Sequence, residues 1–483
     1  MRARTRISVS LFASSIVVLG VAAPASAAPS PTDLVADIVA GSGDGDPYSL
    51  TPFNGRLYFV ADDGTGADLF VSDGSVGSAT NLDLNPTGTS DPYGFTVIGN
   101  TLYFAATNGV DGSELWSITG SGAPTMVTDL ETGAGNSYPS RYTLFNGDIY
   151  FEAFTSTTGQ SLFRLSGGTV SQYPMGTIGS PDDFFVYNGY LYFSASGPQS
   201  IQLYRVDGTN PPEQFFTTNA PSFGNPHNFA VAGGQLYFLS NDGATAPYSY
   251  ELYATDGVTT PVKLTNDLAD TNGFQYYTVF NDTLYFSAGN AATGRELGYT
   301  TGGAVPTYFD INPGAAGSDP EGFTAYNGGL YFSATTPSTG HELFSISGAA
   351  APVLRADIAP GATSGYPFSF VPSNGKLAFS ASSTGTSWQL WSFDGTATNQ
   401  ESEIVSPDPD VYEVVALGDY VYFTATSTAT GYELWRTRIA SAASPALAAT
   451  GTDPLLPVGA AALLLVAGLA LALTRRRVSE TQE

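Results

Sequence analysis

The sequence predicts an all-β fold: a β-propeller of about nine four-stranded repeats, its ring closed by the N-terminal strand, with one C-terminal transmembrane helix. Three observations predict it. First, one pattern recurs nine times, centred on Leu57-Tyr58-Phe59, Leu102-Tyr103-Phe104, Ile149-Tyr150-Phe151, Leu191-Tyr192-Phe193, Leu236-Tyr237-Phe238, Leu284-Tyr285-Phe286, Leu330-Tyr331-Phe332, Leu377-Ala378-Phe379 and Val421-Tyr422-Phe423. The phenylalanines stand 42 to 48 residues apart, and such a period with strand-like content marks propeller blades. Second, Asn54-Gly55, Asn146-Gly147, Asn188-Gly189, Asn327-Gly328 and Asn374-Gly375 precede these runs. Asn-Gly favours two-residue hairpins, because both residues tolerate positive φ. Third, the repeat region is cut out of phase. It opens on Leu34-Val35-Ala36-Asp37-Ile38, which matches the last strand of a unit, and ends on Glu433-Leu434-Trp435, which matches the third. The opening segment is expected to complete the final blade and remove a free sheet edge.

Within a unit the order is an Asp-Ile/Leu segment, a Gly/Pro/Asp loop, a short strand, Asn-Gly, the Leu-Tyr-Phe strand, a Thr-Gly loop, Glu-Leu-Trp and Asp-Gly. Asp310 to Phe344 carries it nearly whole. The Leu-Tyr-Phe runs lack a polar alternate, which suits a strand covered on both faces. Asp73-Gly74, Asp207-Gly208 and Asp256-Gly257 mark a second tight turn. Tyr173-Pro174-Met175 and Phe215-Phe216-Thr217 replace the Asp-Ile/Leu segment, and Gly298 replaces an aromatic residue. Nine units exceed the usual four to eight, so one ring, a ring with a copy outside it, and two propellers all stay open. Gln389 to Thr396, Glu251 to Gly257 and Leu203 to Thr209 resemble the bacterial E-L-W-x-x-D-G-T repeat family. That likeness spans nearly all of 33–439. It implies the fold and an extracellular setting, and little about activity.

The two ends read as addresses. Arg2, Arg4 and Arg6 precede an apolar stretch from Ile7 to Val21, followed by Ala25-Ser26-Ala27. Segment 1–27 therefore reads as a secretory signal, cut after Ala27 and before Ala28. The repeat domain occupies 32–439, and 440–453 is an Ala/Ser/Pro linker. An apolar run from Leu455 to Leu473, 19 residues long, is just long enough to cross a bilayer as a helix, giving a membrane segment at 454–474. Arg475, Arg476 and Arg477 open the basic tail 475–483, which the positive-inside rule holds in the cytoplasm. With Leu447-Ala448-Ala449-Thr450-Gly451 ahead of them, these elements resemble an L-A-x-T-G cell-wall sorting signal of the class E sortases of actinobacteria. The resemblance implies a sortase and a peptidoglycan precursor as partners, with attack on the Thr450 carbonyl. The competing reading is an ordinary single-span membrane protein. Both place the repeats on the extracellular side.

Composition narrows the chemistry. The chain has no cysteine, which excludes disulfides and a thiolate nucleophile. Its net charge is −27, so nucleic acid is not an expected partner. The recurring Glu114, Glu251, Glu296, Glu342 and Glu433 read as acceptors for backbone N–H groups, since a catalytic residue does not recur in every blade. Asp44, Asp46, Asp83, Asp91, Asp310 and Asp319 lie in Gly/Pro/Asn loops that are candidate Ca²⁺ sites, although their spacing is not that of an EF-hand and such clusters are also ordinary turn chemistry. His227 and His341, the two histidines, have no partners legible in their neighbourhoods. No catalytic residue is expected. The leading expectation is a binding or adhesion module for an extracellular glycan or protein; the alternatives are a polysaccharide-acting enzyme and a structural wall component.

Overall fold

The computed structural model describes residues 31–198, 200–216, 224–241, 250–266, 275–290, 293–348 and 350–441. These residues form nine sheets, each of four antiparallel strands, with no helix among them. The protein is a nine-bladed β-propeller. The first sheet sets the pattern, with strands Tyr48–Phe53, Arg56–Asp62, Ala67–Ser72 and Thr80–Asn81 in spatial order. The first strands of successive sheets touch one another. The signal and sorting elements, Ala25, Ala27, Ala28 and Leu447 to Gly451, lie outside the described residues, as does the apolar run after them.

The ninth sheet draws three strands from the chain's end, Tyr412–Leu417, Tyr420–Ser427 and Gly431–Arg438. Its fourth is the N-terminal strand Thr32–Ala36, antiparallel with Leu34 opposite Trp435. The expected pairing of the two ends is thus present. Arg436 holds Asp33 at 3.1 Å, and the Tyr422 hydroxyl donates to the Gly74 carbonyl of the first sheet at 3.0 Å.

Packing follows from the alternation of side chains across each second strand. Leu57, Phe59 and Ala61 pack with Val35, Tyr422 and Leu434 of the ninth sheet, while Tyr58 packs with Leu102, Phe104 and Trp116 of the second. Each second strand is buried on both faces, as its missing polar alternate requires. The hairpins adopt the left-handed pair that Asn-Gly favours, with φ of +49° and +73° at Asn54-Gly55. One detail corrects the sequence reading. The Asp-Ile/Leu pair is not a strand: the fourth strands end at Ala36, Phe309 and Ala356, just before Asp37, Asp310 and Asp357. Gly298 leaves no hole, because Tyr308 sits edge-on to Phe286 with ring centres 5.9 Å apart, where any side chain at Gly298 would collide with both rings.

The chain must cross from the fourth strand of one blade to the first of the next, and parts of that crossing are buried, as at Ile358, Ala359 and Gly365. The recurring glutamates satisfy the backbone there. Glu342 accepts the N–H groups of Ile358, Ala359 and Gly365 at 2.7, 3.2 and 2.7 Å. Glu296 accepts those of Ile311 and Asn312; Glu114 accepts those of Leu130 and Ser137. In the eighth blade Gln389 takes the position and accepts from Ile404 N–H. An orphaned buried N–H costs about 1–3 kcal/mol. Glu342→Ala should therefore lower stability by roughly 3 kcal/mol or more, read from the urea midpoint, whereas Glu342→Gln should cost less than half as much. Equal losses in the two variants would contradict this role.

Candidate functional site

The fully buried tyrosines, such as Tyr58, Tyr150, Tyr192 and Tyr237, belong to blade cores. Five others are the most exposed, and these gather at one place in the repeat. Tyr48 and Tyr412 open the first strands of the first and ninth sheets, and Tyr276 is the second residue of the sixth sheet's first strand, Gln275–Phe280. Tyr138 and Tyr366 stand just before Pro139 and Pro367, entering the third and eighth sheets. Both have left-handed φ, +47° and +44°, and their N–H groups reach back to the carbonyls of Ser113 and His341 in the preceding blades. All five are 44–54% exposed. Because first strands of successive blades lie side by side in one repeat orientation, these equivalent ends mark one face of the propeller.

Two groups of polar residues share that end of the blades. In the seventh, His341 is buried and its Nδ1 lies 2.8 Å from Thr335 Oγ1. Its Nε2 is 3.3 Å from Glu321 Oε1, out of line for a hydrogen bond. The imidazole holds the Glu321 carboxyl below its ordinary range. The Tyr366 ring stacks on His341 with centres 5.3 Å apart. His227 also has partners: Nδ1 lies 2.8 Å from the Asn225 carbonyl, and the ring meets Tyr250 edge-on at 4.6 Å. Both histidines thus have structural partners that their sequence neighbourhoods did not make legible. Glu321 precedes His341 by twenty residues, so only the pairing of first and third strands around the second brings them together.

The other group joins the third and fourth blades. Glu152 occupies a position filled by Val60, Ala105, Ser194, Leu239, Ser287, Ser333, Ser380 and Thr424 in the other copies. Arg141 Nε lies 3.5 Å from Glu152 Oε2 and 2.5 Å from Asp182 Oδ1, and its Nη1 is 3.5 Å from Asp183 Oδ1. Burial foremost, then the Asp182 charge, pushes Glu152 up to about 7. Sequence reasoning missed this residue, yet it carried a signal: it is the one carboxylate at that position of the repeat.

The six aspartates singled out as candidate calcium ligands fall in three separate inter-strand loops. Asp44 Oδ1 accepts from Tyr432 N–H at 2.8 Å, and Asp46 has a left-handed φ. Asp91 Oδ1 accepts from Thr89 Oγ1. Asp83 lines a cavity of about 570 Å³ with Asp63, Asp68, Asn81 and Asn85. Asp319 lies 3.6 Å from Arg295 Nε, and Asp310 bears on Glu296, whose carboxyl burial raises first of all. Among the described residues no three carboxylates or histidines are arranged to hold a metal ion.

No protein-family model and no curated protein matches the chain. Solved structures similar to it include a prolyl endopeptidase at 12% identity and TM-score 0.43, matched over 81% of this chain and 55% of that one. The computationally designed Ika8 protein matches at 11% identity and TM-score 0.39, over 83% of this chain and 98% of its own. A Mycobacterium tuberculosis puromycin-hydrolyzing peptidase matches at 12% identity and TM-score 0.35, over 60% of this chain and 49% of its own. The chain thus spans about half the length of the two peptidases.

Burial also pushes Glu342 and Glu433 up to about 7. Carboxyls raised in this way take up protons on folding between roughly 4.3, their free value, and about 7. The stability they confer is complete below that window and is lost as pH rises through it. The unfolding temperature should therefore be higher at pH 5.5 than at pH 8, and Glu342→Gln should flatten the difference. A temperature that falls on acidification across this range would contradict the assignment.

Proposed function

We propose that this protein is a secreted surface propeller that binds an extracellular glycan, held to the cell wall or membrane by its C-terminus. The observation that carries the binding reading is the set of exposed tyrosines on one face, beside carboxylates and an imidazole. Aromatic rings offer sugars a rigid stacking surface at low entropic cost, and loops on a fixed scaffold carry recognition. The reading takes the blades as one closed ring, supported by the pairing of Thr32–Ala36 with Gly431–Arg438. The address rests on the sequence: the signal at 1–27, then the sorting motif and membrane segment.

A second reading, an enzyme acting on polysaccharide, is favoured by one observation. Glu152 and Asp182 sit on either side of Arg141 Nε, and a carboxyl raised to about 7 beside a second carboxyl is the kind of pairing that glycoside cleavage uses. A single assay separates the readings. Full-length protein is offered wall and capsular glycans, with and without calcium, while both retention and new reducing ends are followed. Retention without cleavage is expected. Cleavage abolished by Glu152→Gln would establish the enzyme, and neither retention nor cleavage would leave a structural wall component. For the address, Thr450→Ala should move the protein from the detergent-resistant wall fraction to the membrane fraction; unchanged wall retention after boiling detergent would refute sorting.

A further inference from the structure

We infer that Tyr276, Glu321, His341 and Tyr366 form one subsite, at the junction of the sixth, seventh and eighth blades, for a neutral pyranose bearing free hydroxyls. This rests on the glycan-binding reading above and places it at one point on the face.

The four residues arrive from four segments. Tyr276 and Glu321 come from the first strands of neighbouring blades, and His341 opens the seventh blade's third strand, Gly340–Ile346. Tyr366 follows on the segment that crosses to the eighth. Its N–H donates to the His341 carbonyl at 3.0 Å, and His341 N–H donates to the Ser364 hydroxyl. The crossing segment is thereby pinned over the imidazole. One face of the Tyr366 ring lies on His341, with 25° between the planes. The side chain is still 48% exposed, so the other face is open to solvent. Tyr276 is 51% exposed, and its phenol lies against the Glu321 carboxylate; burial and then that charge raise its pKa.

The second feature is the imidazole itself. His341 is 5% exposed, its Nδ1 is occupied by Thr335, and its Nε2 makes no hydrogen bond. A buried polar atom without a partner is costly and rare. Here it points to the edge of the Glu321 carboxylate, 3.3 Å away. A hydroxyl of a bound sugar would donate to the Glu321 carboxylate, whose side chain is 34% exposed and is backed at 3.3 Å by the buried imidazole. Tyr366 would supply the stacking surface and Tyr276 a second edge. The carboxylate selects against uronates and phosphates, because a like charge beside Glu321 is repelled.

The test is calorimetric titration of the full-length protein with cellohexaose, mannohexaose and arabinogalactan oligosaccharides as neutral probes and oligogalacturonate as the anionic one. At least one neutral probe should bind. Tyr366→Ala and Glu321→Gln should each weaken it by roughly tenfold or more, a loss of about 1.4 kcal/mol. Tyr366→Phe should stay within about twofold, and Val258→Ala, exposed beyond the far end of the fifth blade's third strand, should leave affinity unchanged. Thermal unfolding of each variant confirms folding, and the exposed Tyr366 carries the test should Glu321→Gln unfold. Binding that survives Tyr366→Ala, or that is confined to oligogalacturonate, overturns the subsite while glycan binding stands. A wild-type protein that retains no glycan at all, neutral or anionic, overturns both.

Discussion

Between blades the chain leaves the fourth strand of one sheet for the first strand of the next, and in the described crossings it carries buried residues such as Ile358, Ala359 and Gly365 whose N–H groups must find acceptors. Their satisfaction is the constraint on which the rest of the structure depends. Where the third strand supplies a carboxylate, two or three crossing N–H groups converge on it, as at Glu342. Asp68, one methylene shorter, reaches Ser90 N–H and hydroxyl instead. Where the third blade offers Ser161, the crossing segment closes differently: Tyr173 and Met175 are buried in its place, and Tyr173 ties its hydroxyl to the Asn210 carbonyl of the next blade. The Tyr173-Pro174-Met175 segment, which looks degenerate in sequence, is where an apolar plug stands in for the carboxylate clamp.

That constraint also accounts for a composition otherwise awkward for a compact protein. With no cysteine, no disulfide restrains the unfolded chain, and stability comes from apolar faces packed blade against blade. Several of the acidic residues are structural parts of that interior. Glu114, Glu296, Glu342 and Glu433 are essentially inaccessible, held by backbone N–H groups in place of cations. Burying a carboxylate in this way raises its pKa, since desolvation outweighs the hydrogen bonds it receives.

Much of the architecture was legible because it is local or periodic. The hairpin pairs, the Leu-Tyr-Phe strands and the out-of-phase ends each depend on neighbours in sequence or on the repeat length. The structural role of the recurring glutamates was legible from their recurrence. What was not legible depends on register. Glu321 faces His341 because the strand Gly329–Thr336 pairs with both of their strands, and no spacing rule announces that. Arg141 meets Asp182 because the first strand of the fourth blade, Gly179–Tyr187, shifts register on both sides of Asp182. The sorting motif and signal lie at the other extreme, resting on sequence pattern alone.

Repetition separates scaffold from function in this chain. A residue that serves the blade is needed in most blades, so it recurs; a residue that serves one ligand is needed once. Glu152 shows the energetic side of this distinction. Unlike Glu342, it is met by Arg141 and the Ser140 hydroxyl, not by a converging set of backbone N–H groups. A buried carboxylate with so thin a shell is a standing cost, and the eight other blades avoid it by placing Ser, Thr, Ala, Val or Leu there. The buried imidazole of His341, with one nitrogen unbonded, is a cost of the same kind. Both lie at the end of the blades where the exposed tyrosines stand, so the costs the fold carries there fall beside its exposed aromatic face.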